Sequence, residues 1–172
     1  YLRKHIVEAT SFVTGSEMSY QHIFPFFRYA EVLLNYAEAL AAATQNPDFT
    51  GMKGEVEYTL SPREALNAVR ARYNMPGITE TDYAAFVKRL RNERRVELAF
   101  EGHRFWDIRR WKIGAETTKV YGLTITPQND GSFSYVRSVI QQRGWDDRMN
   151  YYPIADAELF KNHNLVQNDG WK

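Results

Sequence analysis

Between residues 89 and 111 the sequence RLRNERRVELAFEGHRFWDIRRW carries seven arginines and four carboxylates. Two of the acids, Glu97 and Glu101, stand four residues apart, so on one helix they share a face. A carboxylate pair is the raw material of general acid–base work and of glycoside hydrolysis in particular. That chemistry needs one member protonated near neutrality, and arginines beside the pair hold both ionised. A second acid pair, Asp146 and Asp147, is the other place a hydrolase could find its carboxylates. Ligand recognition without catalysis asks for different groups, namely aromatic faces to stack on rings and polar groups to hydrogen-bond. The stretch from 115 to 150 supplies Tyr121, Phe133, Tyr135, Arg143, Trp145, Asp146 and Asp147. Trp145, Tyr135, Arg143 and Asp146 are the candidate ligand-binding residues; the plainer alternative is that the aromatics fill the gap between a ribbon and the helices.

Several other chemistries are excluded or unsupported. There is no cysteine, so no thiolate nucleophile, thiolate metal site or disulfide framework exists within these residues. His5, His22, His103 and His163 are scattered, and Asp146-Asp147 lacks the alternating oxygens and glycine of a calcium loop, so no metal is expected. No glycine-rich phosphate loop or serine-centred elbow occurs, and no cofactor is expected. A net charge of +1 gives no general pull toward nucleic acid or an anionic membrane. The arginine-rich stretch is +3 by itself, but its four interleaved acids are unlike a nucleic-acid helix, which exposes its arginines on one side. No run of 18 apolar residues is present to span a membrane.

A helix must position the charged stretch. At 100° per residue, Tyr83, Phe86, Val87, Leu90, Arg94, Glu97, Leu98 and Glu101 fall within about 120° of arc, which puts Arg94, Glu97 and Glu101 inside an apolar stripe. An unpaired buried charge is costly, whereas an arginine fork can satisfy two carboxylates. Arg94 and Glu97 form an i, i+3 pair, and Glu101 then needs a further cation such as Arg104 or Arg110. The expected result is a network that staples the third helix to the fourth and to a neighbour.

The remaining elements follow from periodicity and punctuation. Pro25 to Ala43 reads as a helix whose polar residues Arg28, Glu31, Asn35 and Glu38 make one narrow stripe, so it must be covered on most sides. Asn46 to Gly54 reads as a loop. Ser61-Pro62-Arg63-Glu64 carries the signature of a capped helix start, and that helix runs to about Tyr73. Thr81-Asp82 opens the third helix, expected to continue through Phe100 and Glu101 to Gly102, and His103 to Lys112 forms a short fourth. Lys119 to Thr126 and Ser132 to Ile140, joined by Asn129-Asp130-Gly131, read as a two-stranded ribbon. The tail holds a short helix at Asp156 to Phe160 and otherwise wraps. Mostly α with a small β-ribbon and an irregular C-terminal segment is the expected class.

Four segments, in order, are similar to the SusD/RagB family: FRYAEVLLNYAEAL at 27–40, ALNAVRARYNMPGI at 65–78, RNERRVELAFEGHRFWDIRRW at 91–111 and YYPIADAELFKNHNLVQNDGW at 151–171. Two turns differ, with Pro153-Ile154-Ala155 for the family's Pro-Ile-Pro and Gln167-Asn168-Asp169-Gly170 for its Gln-Asn-Pro-Gly. The resemblance implies tetratricopeptide-like helix pairs, with residues 25–112 helical and 115–172 the ribbon and wrapping tail of a C-terminal portion whose upstream part is absent. It also implies that Arg94, Glu97, Glu101, Arg104, Asp107, Arg110 and Trp111 are scaffold. The function it implies is non-enzymatic: an outer-membrane surface lipoprotein of Bacteroidetes polysaccharide utilization, binding an oligosaccharide or other nutrient for a SusC-like TonB-dependent transporter. The lipid anchor would lie outside these residues. A glycoside hydrolase using Asp146 and Asp147, and a protein-interaction module without a small ligand, are the alternatives.

Overall fold

A computed structural model of the chain describes residues 4–21 and 23–171. His22 lies outside them. The chain divides into two compact units, Tyr1–Glu101 and Gly102–Lys172, so the division falls inside the span expected to be helical. Among the described residues helices dominate, with two small antiparallel sheets.

The first unit is built on three helices. Helix α1 spans Tyr29–Thr44 and starts four residues later than its apolar pattern suggests, because Arg28 is extended (φ −128°, ψ 149°). The side chain of Arg28 is committed to the end of another helix, as described below. Ala30, Leu33, Leu34, Ala37, Leu40 and Ala41 of α1 are buried, and the row of small residues lets α1 lie against both other helices. The polar stripe is not wholly the solvent face. Glu31 is buried, and Asn35, although exposed, accepts from Arg94 Nη1 at 2.6 Å, while Tyr29 and Val32 on another side are exposed. Part of the stripe thus meets the third helix, and part of the apolar surface lies outside.

The span 46–54 is not simply a loop. Strand β1 (Gly51–Lys53) pairs antiparallel with β2 (Val56–Tyr58). Gly54, at φ 61°, takes the first central position of their two-residue connection, where a positive φ is required. Helix α2 (Pro62–Ala71) begins with the capping box read from its sequence: Glu64 N–H donates to Ser61 Oγ at 3.2 Å, and Ser61 N–H donates to Glu64 Oε2 at 2.8 Å. Helix α3 (Tyr83–Glu97) is capped by Asp82, whose carboxylate accepts from Ala85 N–H at 2.8 Å. Leu66 and Val69 of α2 and Phe86 and Leu90 of α3 close the core against α1.

Helix α3 stops at Glu97, short of the expected end at Gly102. Phe100 adopts a left-handed φ of 65°, and the last amides bond three residues back, Ala99 to Val96 and Glu101 to Leu98. The freed carbonyls find side-chain donors instead. Lys4 Nζ reaches the carbonyls of Glu97 (2.7 Å) and Ala99 (2.9 Å), and Arg28 Nη2 also reaches that of Glu97 (3.0 Å). Long cations thus do what amides of a further helical turn would have done.

In the second unit, α4 (His103–Arg110) is followed by a 3-10 turn at Gly114–Thr117. Strands β3 (Lys119–Pro127) and β4 (Phe133–Gln142) form the expected antiparallel ribbon, with an irregularity at Val120/Tyr121. Its register puts Tyr121, Leu123 and Ile125 opposite Val139, Arg137 and Tyr135 on one face, and Thr124 and Thr126 opposite Val136 and Ser134 on the other. Tyr121, Phe133 and Tyr135 are all exposed, so they do not fill a gap beneath the ribbon. A second 3-10 turn (Asp147–Asn150) and the short helix α5 (Asp156–Lys161) complete the unit.

Candidate functional site

Glu97 and Glu101 are held by one guanidinium. Arg28 donates to both oxygens of Glu101 through Nε and Nη2, each at 2.8 Å, and to Glu97 Oε1 through Nη1 at 2.8 Å. Lys4 adds a further bond to Glu101. The Glu101 side chain is only 4% exposed. Arg94, buried on α3, donates to Asn35. The cations that meet Glu101 are therefore Arg28 and Lys4, where the sequence offered Arg104 or Arg110. The expected staple to the fourth helix becomes, for Glu97 and Glu101, a staple to the start of α1. In the second unit, Arg110 Nε donates to the buried Asp107 at 2.8 Å, and Arg104 is half-buried on the first turn of α4.

Electrostatics follow the geometry. Burial pushes the Glu101 carboxyl up, but the hydrogen bonds from Arg28 and Lys4 outweigh it and leave the group below its ordinary value. The bond to Glu101 is likewise the main reason that Arg28 is held more firmly protonated than a free arginine. Glu101 is thus not a protonated donor, so it is not equipped for general acid catalysis.

The four candidate ligand residues do not form one pocket. Tyr135 lies in β4 opposite Ile125, whereas Gln142 at the strand end faces Lys119. At ~3.3 Å per residue that separates Tyr135 from the strand end by roughly 23 Å. Arg143 follows the strand, its N–H donating to Thr118 at 2.7 Å. Asp146 is exposed and accepts from Arg148 N–H at 3.0 Å, capping the 3-10 turn. Trp145 packs on Gly114 so closely that a methyl group there would stand 1.9 Å from its ring.

What the second unit does assemble is a cleft of about 360 Å³ lined by Trp106, Arg109, Arg110, Lys112, Asn150, Tyr151 and Tyr152. Trp106, Arg109 and Arg110 share a face of α4 by their i, i+3 and i+4 spacing. The helix then ends in a Schellman arrangement: Ile113 N–H bonds Ile108 and Lys112 N–H bonds Arg109. Lys112 occupies its left-handed position at φ 53°, where glycine is the usual residue. Phe105, Trp106 and Tyr152 cluster with ring centroids 5.0 to 6.1 Å apart. The Arg109 guanidinium lies 3.5 Å above the Phe105 ring, and 5.4 and 5.8 Å from the rings of Trp145 and Tyr152.

The tail positions the other wall. Trp171 Nε1 donates to the carbonyls of Arg148 (3.0 Å) and Tyr151 (3.1 Å), and the Gln167 amide makes a reciprocal pair with the backbone of Ile154 at 2.8 Å each way. Gly170, at φ 80°, is required there, because a methyl would stand 2.7 Å from Arg148 Cβ.

Two polar atoms of cleft-lining residues are buried without partners among the described residues, Arg109 Nε and Asn150 Oδ1. Leaving such a group unsatisfied costs about 1–3 kcal/mol. Arg109 and Lys112 also have no carboxylate ion pair among the described residues. A second cleft, in the first unit, is lined by Tyr36, Tyr58 and Lys53 among alanine and leucine residues. It has one cation and no orphaned polar atom. Among the described residues no group of His, Asp or Glu is placed to hold a metal ion, and no helix is long and apolar enough to cross a membrane.

Sequence reasoning singled out Trp145 but missed Trp106, Arg109, Lys112, Tyr151 and Tyr152 as a set. The available signals were the i, i+3 spacing of Trp106 and Arg109 and the paired tyrosines opening the tail.

Comparison with known proteins matches residues 1–171 to a family profile described as the SusD family. The chain is 33% identical over 146 residues to a SusD-like protein from Formosa agariphila, covering 83% of this chain and 24% of that protein. It also superimposes on a SusD-like protein from Bacteroides fragilis, with a TM-score of 0.65 and 34% identity over 87% of this chain and 26% of the other. The chain thus spans about a quarter of the length of each.

Two outcomes follow from the geometry. Glu101 has a lowered carboxyl pKa, so its contribution to stability is complete above the unfolded value of about 4.3 and is lost as pH falls through the folded value. Glu101→Gln should lower the melting temperature at neutral pH and flatten the acid limb of the melting curve; an unchanged acid limb would remove Glu101 from the account. Gly114→Ala should displace Trp145, cost about 1–3 kcal/mol and alter tryptophan fluorescence, whereas a silent spectrum would mean the ring is not packed there.

Proposed function

Because the chain belongs to the SusD family, we propose that it is part of a non-enzymatic binding protein that captures an oligosaccharide or related nutrient and delivers it to a TonB-dependent outer-membrane transporter. It acts at the cell surface, held to the outer membrane by a lipid anchor. Family membership supports the binding role. The observation that brings it to this chain is the cleft of the second unit, with Trp106 and Tyr152 as stacking faces beside polar groups that lack partners. Transporter delivery rests on the family alone. Hydrolysis by Glu97 and Glu101 is disfavoured by the cations that keep Glu101 ionised.

Calorimetric titration of the full protein with plant, host and microbial oligosaccharides tests this reading. Saturable binding without release of reducing ends is the expected result. Accumulating reducing ends would replace it with a hydrolase, and silence across the panel would remove saccharides from the proposal.

A further inference from the structure

The cleft of the second unit is more specific in its charge than saccharide binding requires. Three of its seven lining residues are cations, and no lining residue is a carboxylate. Arg110 is engaged with Asp107. Arg109 and Lys112 have no carboxylate partner among the described residues. Arg109 spends Nη1 on the carbonyl of Phe105 at 2.9 Å, while its Nε is buried with no acceptor. Lys112 stands at the end of the same helix in a backbone conformation that side chains other than glycine rarely adopt. Lys112 is exposed, and its ammonium lies 5.9 Å from the Tyr151 ring centroid.

Resting on the saccharide reading above, we propose that this cleft is a subsite for an acidic sugar. The carboxylate of a uronic acid residue meets Arg109 and Lys112, and its ring packs on Trp106 and Tyr152. A planar carboxylate is the acceptor that suits an arginine fork. A neutral glycan satisfies the ring faces but leaves both cations without a counter-charge, so discrimination comes from the acid group.

The test uses the full protein and tetragalacturonate, with its fully methyl-esterified form as the neutral counterpart of the same skeleton. The acid should bind at least about tenfold more tightly than the ester, with an affinity that weakens as salt is raised. Arg109→Gln and Lys112→Gly should each lower affinity for the acid by about tenfold while leaving that for the ester unchanged. Lys112→Gly removes the left-handed strain, so its melting temperature should match or exceed that of the parent, which separates lost binding from lost folding. Equal affinity for acid and ester, or an acid affinity indifferent to both substitutions, overturns the inference and leaves the broader saccharide reading standing. Binding of neutral oligosaccharides alone does the same. Failure of every saccharide, acidic or neutral, overturns both.

Discussion

The Arg28 guanidinium lying across Glu97 and Glu101 is the contact on which the first unit depends. It joins the residue that starts α1 to the residues that end α3, some 70 positions apart in sequence. With both carboxylates largely out of water, the bonds do not rank as ornaments on an apolar core. Removing one partner of a buried pair costs about 3–5 kcal/mol, because the other charge is then stranded. The same contact sets two element boundaries. Arg28 stays extended and delays α1, while Arg28 and Lys4 take the carbonyls that would have carried α3 onward. Charge inside this region therefore specifies where helices start and stop, and Phe86, Leu90, Leu34 and Leu66 then pack between them.

The second unit uses a different device. There the backbone of a wrapping tail is tied down by side-chain amides and an indole: Gln167 on Ile154, Trp171 on Arg148 and Tyr151. These bonds fix the Asn150 to Tyr152 wall of a cleft whose other wall is one face of α4. The substitution of Asp169 for proline leaves this turn closed, because Gly170 and Trp171 carry its contacts. Stacked arginine and aromatic faces in this cleft are the features on which the binding proposal rests.

Local signals in the sequence were legible. The Ser61 box, the Asp82 cap and the ribbon turn at Asn129 to Gly131 each act over a few residues, and each is found where expected. So was the presence of charge within an apolar stripe, since Arg94 is buried on α3. The identity of the partner was not. Nothing local links Arg28 to Glu101, and the nearer arginines at 104 and 110 were the natural candidates by spacing. The same limit hid β1 and β2, three residues each, and the cleft, whose walls come from α4 and from a tail 40 residues later. Aromatic residues of the ribbon drew attention by composition, but Tyr135 lies far along an exposed strand from Trp145.

A double-mutant cycle on Arg28 and Glu101 tests the central claim most directly. Chemical denaturation of Arg28→Ala, Glu101→Gln and the double variant gives the coupling energy between the two side chains. The account predicts a coupling of about 2 kcal/mol or more, with the double variant less destabilised than the two single losses combined. Additive losses would mean that the two groups do not hold each other, and the arrangement of α1 against the end of α3 would need another cause.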